Sequence, residues 1–220
     1  MLSQHARKML ARANAVKRSL FVLMGIVVGL MLLRRRLFRY LLRLSPVQTP
    51  FTVQHDIEIA MPDGTALVSD HYAPRLDAPA PTILIRSPYG RNGKQSLFGL
   101  LLTFCAGRFA ERGYHVIVQD VRGRFDSGGD FVPYFNESGD GKATLAWIKR
   151  QPWSDGQVGM WGGSYLGIVQ WAAAPNEMGV AAIVPAITGS HPRDIVFPDD
   201  ALDLGLILRW IALFRLLDRD

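Results

Sequence analysis

The sequence predicts an α/β protein: a mostly parallel sheet with helices on both faces. Three observations predict it. Short β-branched strands alternate with segments of helical pattern, an antiparallel hairpin precedes them, and a glycine-flanked serine stands between a strand and a helix. In "FTVQHDIEIAMPDGTALVSDHYAP", apolar and polar residues alternate around Asp63-Gly64, the pattern of a β-hairpin. "PTILIRSPYG" is a short strand stopped by Pro88 and Gly90, and the apolar stretch from Ser96 to Arg112 reads as a helix ended by Gly113. "YHVIVQD" is a second buried-type strand, followed by the glycine-rich loop "VRGRFDSGGDF". "DGKATLAWIKRQ" reads as a helix that turns Leu145, Trp147 and Ile148 inward, and "QVGMWG" is a third strand. Residues 165–174 continue as helix, "GVAAIVPAI" is a fourth strand, and "DDALDLGLILRWIALFRLLD" reads as a last helix begun by Asp199 and Asp200.

The 220 residues, 49% hydrophobic and 20% charged, suffice for one domain with a real core. Charge is unevenly spread. Ten of the 25 Lys and Arg side chains lie within the first 55 residues, where there is no Asp or Glu. Residues 56–220 therefore carry 15 basic against all 19 acidic side chains, a net of −4. The basic balance belongs to the N-terminus, and a nucleic-acid partner is not expected. Within that segment "LFVLMGIVVGLMLL", Leu20 to Leu33, is fourteen residues without a charge, about 21 Å as a helix against a hydrocarbon core of about 30 Å. "RRR" follows where a signal peptide has small residues. A membrane anchor fits best, with Arg34 to Arg36 at the headgroups and "LFRYLLRL" along the interface, so residues 20–44 are expected to contact lipid. Basic residues flank both ends, which leaves the orientation open. Cys105, the single cysteine, reads as a small core residue. The expected organisation is an anchor over residues 1–44, a linker with two prolines over 45–50, a core over 51–190 and the beginning of a helical cap over 191–220.

The stretch "GMWGGSYLGIVQW" raises the functional question. In an α/β-hydrolase fold the nucleophilic serine occupies a sharp strand-to-helix turn whose neighbours must be small. Gly162 and Gly163 give that room before Ser164, and Gly167 gives it on the helix side. The usual motif has its second glycine two residues after the serine, where this chain has Leu166. The competing reading is an ordinary turn with Ser164 as helix N-cap. Asp120, Arg122 and Arg124 are expected to organise the loop over the sheet, Asp120 by accepting backbone N–H groups and an arginine by internal pairing. "YGRNGK" reads as a solvated loop, since it lacks the spacing of a phosphate cradle.

"RSPYGR", "FAERGYHVIVQDVRGRFDSGGDF", "WIKRQPWSDGQVGMWG" and "GGSYLG" followed by "QWAAA" together resemble the Xaa-Pro dipeptidyl-peptidase-like and cocaine-esterase-like (CocE/NonD) family of serine hydrolases. The resemblance runs from about Asp56 to Pro185 and includes the displaced glycine. It implies an α/β-hydrolase fold and an acylated nucleophile at Ser164. The oxyanion donors it implies are the Tyr165 backbone N–H and the Tyr89 hydroxyl. The substrate would be a small ester, amide or peptide, with no metal or organic cofactor. Chain order in the fold puts an acid and then a histidine after the serine. Only His191 follows Ser164, so the chain is expected to lack the catalytic Asp and His and to stop after the start of the cap. Two alternatives stand beside this: an improvised set of Ser164, His191 and Asp194, and a catalytically silent membrane-anchored protein that binds a partner or lipid. Asp199 and Asp200 would either meet an amine-bearing acyl group or complement a helix dipole.

Overall fold

A computed structural model of the chain describes residues 40, 41, 43, 45–175 and 180–218. The expected membrane helix of residues 20–33 lies outside them, and among the described residues no helix is long and apolar enough to cross a membrane. Two compact units divide the chain, Met1–Pro46 and Val47–Asp220, and the second holds the sheet.

Six strands form that sheet: β1 (Phe51–Ala60), β2 (Ala66–Pro74), β3 (Ala80–Ser87), β4 (His115–Asp120), β5 (Ser154–Gly163) and β6 (Val180–Ala186). Their spatial order is β1-β2-β4-β3-β5-β6. The opening hairpin forms as the alternation predicts, with a five-residue connection rather than a two-residue turn: Met61 N–H and Thr65 C=O close it at 2.7 Å, and Asp63 accepts the Thr65 N–H at 3.0 Å. β2 pairs antiparallel with β4, whereas β4-β3, β3-β5 and β5-β6 pair in parallel.

Helices join the parallel strands: α1 (Leu97–Ala110), α2 (Glu137–Lys149) and α3 (Tyr165–Ala173), then α4 (Pro192–Val196) and α5 (Leu204–Leu217). Every residue of β4 is buried, because alternate side chains meet different layers. Val116 and Val118 face Leu102, Ala106 and Ala110 of α1. Ile117 and Leu84 face Leu145 and Ile148 of α2. Ser96 caps α1, accepting the Gly99 N–H at 2.8 Å. β6 is the outer strand, and Val184 there is half exposed.

Asp199 and Asp200 do not begin the last helix. They sit in a single 3-10 turn, Pro198–Asp200, with φ of 53° and 61°. Asp203 caps α5 instead, accepting the Leu206 N–H at 2.9 Å. The local cause is Pro198 together with two left-handed residues, which break the helical path before Leu204.

Three elements meet at a fully buried arginine. Arg86, near the end of β3, donates to Gln119 of β4 at 2.8 Å and to the Glu137 carbonyl at 3.0 Å, and its guanidinium lies 2.9 Å from the Glu137 carboxylate at the start of α2. Removing one partner of a buried ion pair costs about 3–5 kcal/mol, because a charge stays buried without a counterion. Arg86→Ala is therefore expected to lower unfolding stability by about that amount, measured by urea denaturation. A loss below about 1 kcal/mol would contradict the assigned role.

Candidate active site

β5 ends in Gly162 and Gly163, the chain turns at Ser164, and α3 starts at Tyr165. Ser164 has φ 56° and ψ −127°, a left-handed conformation costly for any residue with a Cβ, and its side chain makes no capping hydrogen bond. The ordinary N-cap reading is thereby replaced by a strained elbow that leaves Ser164 exposed. The Ser164 N–H donates to the Ala186 carbonyl of β6 at 2.8 Å.

The small residues do what the sequence reading asks of them. Gly162 has φ 149°, and a Cβ there would stand 2.4 Å from the Leu166 Cβ. A Cβ on Gly167 would stand 2.4 Å from Thr188 Cγ2. The displaced glycine thus serves the packing of α3 against the segment after β6. Sequence reasoning missed Gln170, which pins the elbow from behind. Fully buried, it donates to the Gly162 carbonyl at 3.0 Å and the Leu166 carbonyl at 2.8 Å, and accepts the Val184 N–H at 2.9 Å.

Tyr165 and Tyr89 flank the serine. As first residue of α3, Tyr165 carries a backbone N–H with no acceptor inside the helix. Its phenol points into the core, donating to Glu137 at 2.7 Å and accepting the Tyr134 N–H at 3.0 Å. The Tyr89 side chain is buried, and its hydroxyl accepts from Trp210 Nε1 at 3.2 Å. Burial pushes the Tyr89 phenol up, so it stays protonated and able to donate; Trp210 and the Ser164 hydroxyl are the hydrogen-bonding neighbours that partly offset this.

The loop carrying Tyr89 is not the solvated segment that "YGRNGK" suggests. Arg91 and Asn92 are buried. Arg91 donates to Asp70 at 3.0 Å and to Asp126 at 2.7 Å, and its guanidinium also meets Asp120 and Asp56. Asn92 adds a bond to Asp70 at 2.9 Å. These four carboxylates stand at positions 56, 70, 120 and 126, so no local pattern announces the cluster. Asp120 accepts from the Arg91 and Gln95 side chains rather than from backbone N–H groups, which corrects the expectation for it. The arginines do pair internally. Arg122 grips Asp140 through two bonds, at 3.0 and 2.6 Å. Arg124 donates to the Pro88 carbonyl at 3.0 Å, pairs with Asp218 and lies 4.6 Å from the Phe214 ring centroid.

Ser164 opens on two cavities. The larger, about 580 Å³, runs between α1 and α5 past Phe98, Leu101, Trp161 and Leu213. The smaller, about 70 Å³, is bounded by Tyr134, Ile168, Thr188 and Ile195. Tyr89, Ser164 and Trp210 line both.

None of the described histidines borders either cavity. His191 is an exposed residue preceding α4, and Asp194 is exposed in its first turn, so the improvised set with Ser164 is not assembled. His71 and His115 hydrogen-bond to each other at 2.9 Å and both pack against Trp153 with tilted rings. His115 opens β4, at the opposite end of the parallel strands from Ser164. His55 pairs with Asp70 at 2.9 Å.

Residues 63–218 match the model of the X-Pro dipeptidyl-peptidase (S15 family). The chain belongs to this family. It is 37% identical over 171 residues to the cocaine esterase of Rhodococcus sp. (strain MB1 Bresler), an alignment covering 74% of this chain and 29% of that enzyme. The chain thus spans under a third of the length of that relative. A CocE/NonD family hydrolase from Staphylococcus aureus is 25% identical with a TM-score of 0.53, covering 60% of this chain and 27% of that one. An alpha-amino acid ester hydrolase is 27% identical with a TM-score of 0.51, covering 64% and 26% respectively. The family is one of hydrolases, and the mixed sheet-and-helix fold agrees with these neighbours.

Burial raises the Asp120 carboxyl to about 7, against the opposing pull of Gln95 and Arg91. An acid whose folded pKa exceeds its unfolded value of about 3.9 binds more protons folded than unfolded between those two values. Stability is therefore expected to fall as pH rises from about 4 to about 7. Asp120→Asn is expected to flatten that slope in thermal melts across this window; an unchanged slope would assign the titration to another group.

Proposed function

We propose that the chain carries the nucleophile and oxyanion donors of a serine hydrolase that cleaves ester or amide bonds through an acyl-Ser164 intermediate. The observation that carries this reading is the left-handed backbone of an exposed Ser164, at a strand-to-helix turn, with the Tyr89 hydroxyl beside it. The reaction has two halves. Ser164 Oγ attacks the scissile carbonyl carbon, an imidazole takes the hydroxyl proton, and the carbonyl oxygen becomes an oxyanion. That charge is met by the Tyr165 N–H and the Tyr89 O–H as the tetrahedral species forms. Collapse expels the alcohol or amine, which takes the proton, and water then releases the acid from Ser164 by the same steps.

No described histidine borders the cavities at Ser164; in this reading the acid and base are supplied from outside the described residues, and the activity tests use a form of the protein that contains them. Without an imidazole, a serine hydrolase loses about 10⁶ in turnover. Lipid contact through residues 20–44 is part of the proposal and rests on the sequence: an uncharged fourteen-residue run between basic clusters. Sedimentation with anionic vesicles tests it. The chain is expected to pellet with them and a version lacking residues 1–44 to stay in solution; equal sedimentation would refute the contact.

Hydrolysis of p-nitrophenyl butyrate by the intact protein tests the site. Ser164→Ala is expected to abolish turnover. Tyr89→Phe removes one oxyanion donor and is expected to lower kcat by about 10²- to 10³-fold with little change in KM. Retained activity in Ser164→Ala would overturn the reading, and a purely KM effect at Tyr89 would remove it from the oxyanion hole.

A further inference from the structure

Resting on that reading, we infer that the larger cavity at Ser164 is a subsite for an apolar group beside the scissile bond, and that Arg209 makes it reject groups carrying an ammonium. At about 580 Å³ it lies within the range of small-molecule sites, roughly 300–1,000 Å³. Its wall is almost wholly apolar, built by Phe98, Leu101 and Leu102 of α1, Trp161 of β5, and Leu206 and Leu213 of α5. Arg209 is the single charged side chain on it. No Asp or Glu lines either cavity among the described residues.

Desolvating an ammonium without a carboxylate partner is strongly unfavourable, and a guanidinium nearby adds repulsion. The acids that might have supplied the counter-charge, Asp199 and Asp200, are exposed in their 3-10 turn and border neither cavity. An α-amino acyl group or the free N-terminus of a dipeptide therefore finds no carboxylate partner among the described residues that line the cavity. A medium-length aliphatic or arylalkyl group fits, because it buries apolar surface against both helices and leaves nothing unpaired. Arg209 is an exposed residue on the cavity wall and makes no ion pair among the described residues, so its guanidinium is available to a ligand there.

Binding tests this without requiring turnover. Trp161 and Trp210 line the cavity, so a brominated chain seated in it quenches their fluorescence. The probes are 8-bromooctanoate and 8-bromooctylammonium, titrated into the intact protein. Octanoate is expected to bind at least tenfold more tightly. Arg209→Glu is expected to reverse that order, a control made necessary by the basic N-terminal segment, whose own attraction for anions it leaves intact. Equal affinity of the two probes, or an order indifferent to Arg209→Glu, would overturn the inference. If the preference for octanoate holds and Arg209→Glu reverses it while ester hydrolysis proves independent of Ser164, the nucleophile reading fails and the subsite stands.

Discussion

A serine backbone held at φ 56° is the constraint on which the candidate site depends. Left to itself, a residue with a Cβ would relax toward the ordinary helical or extended regions, and the strain is of order 1–3 kcal/mol. Here the surroundings over-determine it. Ala186 of β6 takes the Ser164 N–H, Gln170 ties the Gly162 carbonyl to Val184, and Leu166 and Thr188 occupy the space where larger residues at 162 and 167 would go. The elbow is thus a product of the β5-β6 pairing and of α3 packing on it.

Buried arginines carry the second part of the construction. The ends of the strands gather carboxylates there, at positions 70 and 120 on strands and 137 and 140 on α2. Arg86, Arg91 and Arg122 pair with them and join elements far apart in sequence. Through Glu137, Arg86 reaches the Tyr165 phenol, so the first residue of α3 is fixed at both its backbone and its side chain. Arg91, two residues past Tyr89, fixes the loop that holds the Tyr89 phenol. Arg124 then clamps α5, whose Trp210 and Phe214 close over Tyr89 and Tyr165. Planar guanidinium groups with several donors suit such hubs better than lysine does.

The strands and helices were legible because each has a strong local signature. β4 is centred on the β-branched run Val116 to Val118, the hairpin alternates, and Ser96 and Gly113 punctuate α1. The strand-to-helix turn at Ser164 was legible for the same reason, since Gly162 and Gly163 stand directly before it. The loop at Arg91 was misread because burial there arises from four aspartates spread over 70 positions, and no window of sequence contains them together. Asp199 and Asp200 were assigned to a helix by composition, whereas Pro198 and their left-handed backbones end that path before Asp203. The role of Gln170 exists only once β5, β6 and α3 are assembled.

The most direct measurement of the central claim is peptide mapping by mass spectrometry after reaction of the intact protein with an alkyl fluorophosphonate. Labelling requires a serine whose hydroxyl is activated and whose developing oxyanion is met by donors. The account predicts a single adduct on Ser164, among all the serines of the chain, and no adduct in the Ser164→Ala variant. An adduct on a different serine, or none while the protein hydrolyses esters, would contradict it.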